Sequence, residues 1–209
     1  MTAAQFITLE GVEGVGKSTN LEYVCQWLSA QHVDYVVTRE PGGTPLAEEL
    51  REMVLCHREE QVDPQAELLM VFAARAQHVN TFIRPQLEQG KWVISDRFTD
   101  ASFAYQGAGR GISRQDILSL EQLVQRGFQP DLTIYLDCPP EIGLARAGKR
   151  SALDRIEKED VAFFERVRAG YLERVAADPD RFEIIDASVT LEQVQQRIDK
   201  VLRKRYQAW

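Results

Sequence analysis

Residues Gly11, Val12, Glu13, Gly14, Val15, Gly16, Lys17 and Ser18, followed by Thr19, spell the pattern G-x-x-x-x-G-K-S. Glycines at the fixed positions let the backbone close around a phosphate with its N–H groups turned inward. The lysine then reaches the β and γ phosphates, and the serine hydroxyl ligates magnesium. The chemistry implied is capture of a nucleoside triphosphate for phosphoryl transfer. Glu13 is less ordinary, because bare polyphosphate repels a carboxylate. It either faces magnesium or another donor, or it is a solvated loop acid. Asp96 and Arg97 form a second pair: a carboxylate placed to hold magnesium through water, then a cation placed for a phosphate. The structural alternative for the pair is a salt bridge between exposed tip residues. A third cluster, Arg146, Lys149, Arg150 and Arg155, puts four cations within ten residues. Such charges repel one another unless an anion arrives, or else they form a plain solvated basic helix.

These residues need elements to position them. Short apolar runs rich in β-branched residues alternate with stretches of helical period, the pattern of a parallel sheet with crossover helices. The expected strands are 6–10, 35–38, 92–95, 132–137 and 182–185, each nearly continuous in apolar character, as befits a sheet covered on both faces. The phosphate loop follows the first strand. Arg39-Glu40-Pro41-Gly42-Gly43 follows the second, and Asp96-Arg97 closes the third, so all three sit at carboxyl ends of strands, where open parallel sheets bind ligands.

Helix ends are legible too. Asp63-Pro64 opens a helix running to Glu88, Ser113 caps one reaching Arg126 with Gly127 as its left-handed terminator, and Thr190 with Gln193 has capping-box spacing. The glycine-dense stretch 106–111 and the basic stretch 143–155 fit no element and are expected to be mobile or ligand-contacting backbone.

Bulk composition bounds the function. A chain of 209 residues, 44% hydrophobic and 27% charged, suits one domain with a sizeable core. Its formal net charge of -7 argues against a general nucleic-acid binder, so any nucleotide site must be locally basic. Cys25, Cys56 and Cys138 have no disulfide or metal spacing, which fits a reducing cytoplasm. No leader pattern and no membrane-length apolar run is evident, so a soluble protein without a membrane partner is expected.

The phosphate loop alone leaves the acceptor open, from water to sugars to nucleotides. Taken together, however, the loop with its internal acid, Arg39-Glu40-Pro41-Gly42-Gly43, Phe72-Ala73-Ala74-Arg75, Asp96-Arg97-Phe98, Ala104-Tyr105-Gln106-Gly107 and Leu153-Asp154-Arg155-Ile156-Glu157 resemble bacterial thymidylate kinases in order and spacing from Phe6 to about Ala187. The resemblance implies an α/β P-loop kinase fold: a five-stranded parallel sheet flanked by helices on both faces, one domain over residues 1–209, with a mobile lid at about 143–156. It also implies transfer of the ATP γ-phosphoryl group to the 5′-phosphate of thymidine monophosphate, with Mg2+, in a cytoplasmic homodimer.

By the same resemblance Arg75 donates to a thymine carbonyl. The aromatic usually found four residues before that arginine is here Val71, so either Phe72 stacks on the base or Val71 makes a thinner contact. Arg97 clamps the acceptor phosphate, with Arg39, Glu40 and Arg51 in the same pocket. Ser102 and Gln106 line the base pocket, and Tyr105 fills the space a ribose 2′-hydroxyl would need. Glu13 lies near the acceptor sugar's 3′-hydroxyl and the magnesium held by Ser18 and Asp96. Thymidylate kinases carry their catalytic arginine either in the phosphate loop or in the lid. Gly14 follows Glu13 here, so the lid must supply it, with Arg150 favoured and Arg146 second. Two other readings stay in view. A deoxynucleoside kinase would leave Arg97 idle, and a nucleotide switch would leave the base-pocket residues unexplained.

Overall fold

The computed structural model describes residues 3–148 and 154–208. Five parallel strands, β1 (Phe6–Glu10), β2 (Tyr35–Arg39), β3 (Trp92–Asp96), β4 (Leu132–Asp137) and β5 (Phe182–Asp186), form one sheet in the order β2-β3-β1-β4-β5. The three inner strands are buried almost throughout, and the edge strands β2 and β5 are not. Covered faces explain why the inner strands read as continuous apolar sequence. The chain leaves β1 for the far edge and returns through β3, so the loop after β1 lies where the strand order reverses.

Helices link the strands: α1 (Lys17–Ala30), α2 (Pro45–Leu55), α3 (Pro64–His78), α4 (Arg84–Glu88), α5 (Thr99–Ser102), α6 (Arg114–Gln125), α7 (Pro140–Ala147), α8 (Val161–Ala177) and α9 (Leu191–Tyr206). The expected long helix from Asp63-Pro64 to Glu88 is continuous but wound as a π-helix over Val79–Ile83 between α3 and α4. Asp63 caps it by accepting from the N–H groups of Gln65 and Ala66, and Thr190 with Gln193 closes the capping box of α9. Ser113 caps α6, whose left-handed terminus begins at Arg126 itself (φ 52°) and continues through Gly127.

Both irregular expectations need correction. The glycine-dense stretch is regular as far as Gly109, since Phe103–Gly109 is a π-helix extending α5, and Arg110 and Gly111 form the turn that follows. Its small residues serve packing, since a Cβ on Gly170 of α8 would lie 2.7 Å from Ala108 Cβ, and one on Gly109 would lie 2.7 Å from the Phe163 ring. The basic stretch begins as helix, with Gly143 to Ala147 inside α7. Residues 149–153 lie outside the described residues.

Candidate functional site

The loop after β1 combines a strand end, glycine backbone and a helix start. Gly14 and Gly16 have φ of 72° and 89°, the left-handed region that glycine enters freely. Gly14 is also glycine for want of space, because a Cβ there would lie 1.9 Å from the carbonyl oxygen of Gly143 in α7. The approach is mutual: a Cβ on Gly143 would lie 2.4 Å from the carbonyl oxygen of Glu13. Helix α1 has no acidic residue in its first turn, so the positive end of its dipole is uncompensated at the loop. Lys17, buried, donates from Nζ to the carbonyl oxygens of Gly11 (3.1 Å) and Val12 (3.0 Å). Burial and the Arg97 charge lower its pKa. Ser18 and Thr19 are exposed at the start of α1. Ser18, Arg39 and Asp96 line one open groove, and Asp96 Oδ1 is buried there without a hydrogen-bond partner.

Beside the loop opens a cleft walled by charged, polar and apolar side chains together. Its wall includes Glu13, Glu40, Arg51, Val71, Arg75, Arg97, Ser102, Tyr105 and Gln106. Each comes from an element end or a helix face aimed inward: the loop, the turn after β2, α2, α3, the tip of β3, and α5 with its π extension. Arg51 donates to Pro41 O at 2.8 Å, and its pKa is lowered by burial and by the Arg39 and Arg97 charges. Crowded cations of this kind favour an incoming anion. Arg75 Nη1, Arg97 Nε and Ser102 Oγ are buried polar atoms without partners, all on residues of this wall. Such atoms are costly to leave unmatched, and a polar ligand in the cleft is the natural match.

Glu40 is fully engaged. It accepts from Arg75 Nε (2.7 Å) and lies 3.0 Å from His78 Nδ1, while His78 Nε2 is 2.6 Å from Thr38 Oγ1. All four residues are buried, so Glu40 holds the Arg75 side chain in place.

Arg97 is the centre of the charge arrangement. Its backbone sits at φ 70°, and its Nη2 donates to Glu13 Oε1 (2.5 Å), the Tyr105 hydroxyl (2.7 Å) and Gly11 O (3.2 Å). Its guanidinium also lies 4.9 Å from the Tyr105 ring centroid. Burial raises the pKa of Glu13, but the charges of Arg97 and Lys17 and hydrogen bonds from Arg97 and Tyr105 outweigh it and hold the carboxyl at about 2. Glu13 is therefore a fixed anion at neutral pH.

Beneath this pair, Glu10 at the end of β1 behaves oppositely. Its Oε1 accepts from Phe98 N (2.7 Å) and its Oε2 from the Tyr171 hydroxyl (2.7 Å), so it braces the turn that carries Arg97. Burial and the Asp100 charge push its pKa up to about 8. The folded state thus keeps a proton that the unfolded chain releases near 4.5. The stability it contributes is complete below the unfolded value and is lost as pH rises through about 8. Glu10→Gln mimics the neutral acid, accepting from Phe98 and donating to Tyr171. Thermal melts across that window are expected to show a flatter decline than the parent, the variant gaining on the order of a few kcal/mol at its alkaline end. Parallel curves would refute the assignment.

Other expected site residues lie elsewhere. Phe72 is not on the cleft wall. It packs with Leu68, Phe103 and Ile117 in a separate buried cluster, its ring 4.6 Å from the Arg75 guanidinium. Val71, four residues before Arg75 and so one turn behind it on the same face, lines the cleft instead. Arg39 lies on the neighbouring groove and pairs with Glu48 at 2.9 Å. Of the four expected cations, the two described, Arg146 and Arg155, have protein partners in different places. Arg146 donates to the carbonyl oxygens of Ala187 (2.7 Å) and Ser188 (3.3 Å), and Arg155 to Val54 O (2.9 Å) and Glu67 (2.6 Å). Long side chains chose backbone and carboxylate partners remote in sequence. Lys149 and the favoured Arg150 lie outside the described residues. Sequence reasoning missed Glu10, Glu67 and His78. For Glu67 a signal was present, since 67, 71 and 75 share one face of α3 at four-residue spacing.

Among the described residues no cluster of three or more His, Cys, Asp or Glu could hold a metal ion, and no helix is long and apolar enough to cross a membrane. A family model described as Thymidylate kinase matches residues 9–198. The thymidylate kinase of Teredinibacter turnerae is 59% identical over 95% of this chain and 97% of its own length. That of Alcanivorax borkumensis is 54% identical over 99% of both chains. Among solved structures, the thymidylate kinase of Ehrlichia chaffeensis superposes with a TM-score of 0.79 at 32% identity, covering 97% of this chain and all of that one. With the phosphate loop, the arginine-lined cleft beside it and these likenesses over nearly the whole length, the chain belongs to the thymidylate kinase family.

Proposed function

We infer that the chain transfers the γ-phosphoryl group of ATP to the 5′-phosphate of thymidine monophosphate, giving the diphosphate for DNA synthesis. The observation that carries the residue assignments is the cleft wall. Arg97 shares it with Glu13 of the phosphate loop, and three buried polar atoms there lack partners. ATP lies on the loop Gly11 to Thr19. The acceptor phosphate meets Arg97 and Arg51, and its base meets Arg75, Ser102 and Gln106 over Val71. Tyr105, tied to Glu13 and Arg97, stands where a 2′-hydroxyl would come, and Glu13 faces the deoxyribose.

The acceptor nucleophile is an already ionised phosphate oxygen, so no strong general base is required. Catalysis rests on holding two nucleotides in line and on balancing charge at a loose transition state. Lys17 supplies one cation beside the β and γ phosphates. A lid arginine, for which Arg150 is our assignment, supplies another. Ser18 and Asp96 fit a Mg2+ ion, because a hydroxyl and an unpartnered carboxylate oxygen share one groove. When bound, that ion neutralises charge on the phosphate oxygens. We place the lid at about 143–156 of a single domain. A cytoplasmic homodimer accords with the free thiols of Cys25, Cys56 and Cys138 and with exposed Leu69 on α3 and Leu123 on α6.

Purified protein with Mg-ATP is expected to form ADP faster with thymidine monophosphate than with uridine, cytidine, adenosine or guanosine monophosphate. Equal rates across that panel would overturn the acceptor assignment.

A further inference from the structure

We propose that Glu67 is a positioning residue for acceptor selectivity: it fixes which edge of the Gln106 amide faces the cleft. The inference rests on the reading of that cleft as the acceptor base site. Glu67 is 1% exposed, on the face of α3 that carries Val71 and Arg75. It accepts from Gln106 Nε2 at 2.9 Å and from Arg155 Nη2 at 2.6 Å, and Arg110 Nε lies 3.4 Å from it. Arg110 is itself held by Glu159 at 2.5 Å, and Arg155 by the Val54 carbonyl at 2.9 Å. The carboxylate is thus anchored by two arginines that are each anchored elsewhere.

A carboxylate can only accept, so the edge of Gln106 turned toward Glu67 must be its nitrogen. The carbonyl oxygen is then the acceptor left for the cleft, whose wall Gln106 lines. An acceptor at that place matches the N3–H of thymine and opposes the lone pair on N3 of cytosine. Reversing the amide would set its carbonyl oxygen against the acceptor-only carboxylate, two buried acceptors facing each other with no proton between them, which is costly. Selectivity among pyrimidines is in this way set by a residue behind the one that touches the base.

Glu67→Gln removes the constraint, because an amide at 67 can meet either edge of Gln106. The expected result is a fall of about tenfold or more in the ratio of kcat/KM for thymidine monophosphate over deoxycytidine monophosphate, with KM for ATP unchanged. Exchanging the two groups, Glu67→Gln together with Gln106→Glu, puts an acceptor-only group against the base again and is expected to restore the preference for thymidine monophosphate. An unchanged ratio in folded Glu67→Gln protein, or an equal loss with both acceptors, overturns the proposal. If the single variant does not fold, the exchange variant decides, and loss of its thymine preference overturns the proposal. Gln106→Leu separates the two levels of inference. If it leaves both acceptors unaffected, the cleft reading itself falls, whereas if it weakens thymidine monophosphate while Glu67→Gln leaves the ratio intact, only the role of Glu67 falls.

Discussion

Replacing Arg97 with alanine is expected to lower kcat/KM for thymidine monophosphate by on the order of a thousandfold, because the grip on the acceptor phosphate and its in-line alignment are lost together. Three features support so large an effect. The guanidinium is pre-positioned, with one nitrogen shared among Glu13, Tyr105 and Gly11, so it pays little ordering entropy when the acceptor arrives. Its Nε is buried without a hydrogen-bond partner. Its removal also takes from Glu13 the charge that most strongly holds its carboxyl low, and leaves that acid beside an incoming phosphate. Arg97→Lys keeps the charge but loses the fork, so partial recovery is expected. Steady-state kinetics on variants whose circular dichroism matches the parent checks this. A loss below tenfold in Arg97→Ala would remove Arg97 from the reaction.

Lys17→Ala is expected to cost a similar factor in kcat, on the order of a thousandfold. Here the loss should appear in turnover rather than in acceptor binding, because Lys17 belongs to the phosphate loop and does not line the acceptor cleft. The ammonium is buried against the Gly11 and Val12 carbonyls, so no other cation can replace it without rebuilding the loop. Titration calorimetry with thymidine monophosphate should show affinity within a few fold of the parent while turnover collapses. Matched losses in both would mean that the loop had misfolded and that the kinetic assignment to Lys17 fails.

Local signals were readable in the sequence, and remote pairings were not. The five strands follow from apolar runs, and the loop from its glycines and lysine, because each depends on neighbours within a few residues. Helix caps at Asp63, Ser113 and Thr190 are equally local. Arginine partners are another matter. Arg155 meets Glu67 across 88 residues and Arg146 meets Ala187 across 41, and nothing in a basic run says whether it faces an anion or a carbonyl. The π winding of 103–109 was hidden for a related reason: glycines that read as freedom are there to admit α8. Phe72 illustrates a finer limit. Residues three and four positions before Arg75 both neighbour it on the helix and both are buried, and only the packing of Leu68, Phe103 and Ile117 around Phe72 decides which is left to face the cleft.

The contact between Gly14 and Gly143 bears on which residues the phosphate loop can carry. A side chain at 14 would have to pass through the backbone of α7, whose carbonyl oxygen stands 1.9 Å from the place of its Cβ. No side chain can therefore enter the loop at 14 by a single replacement while α7 stays where it is. The helix must retreat first. What the loop can carry is in this sense inherited from helix packing, and a designer wishing to place a charge at 14 should begin by rebuilding α7 rather than the loop.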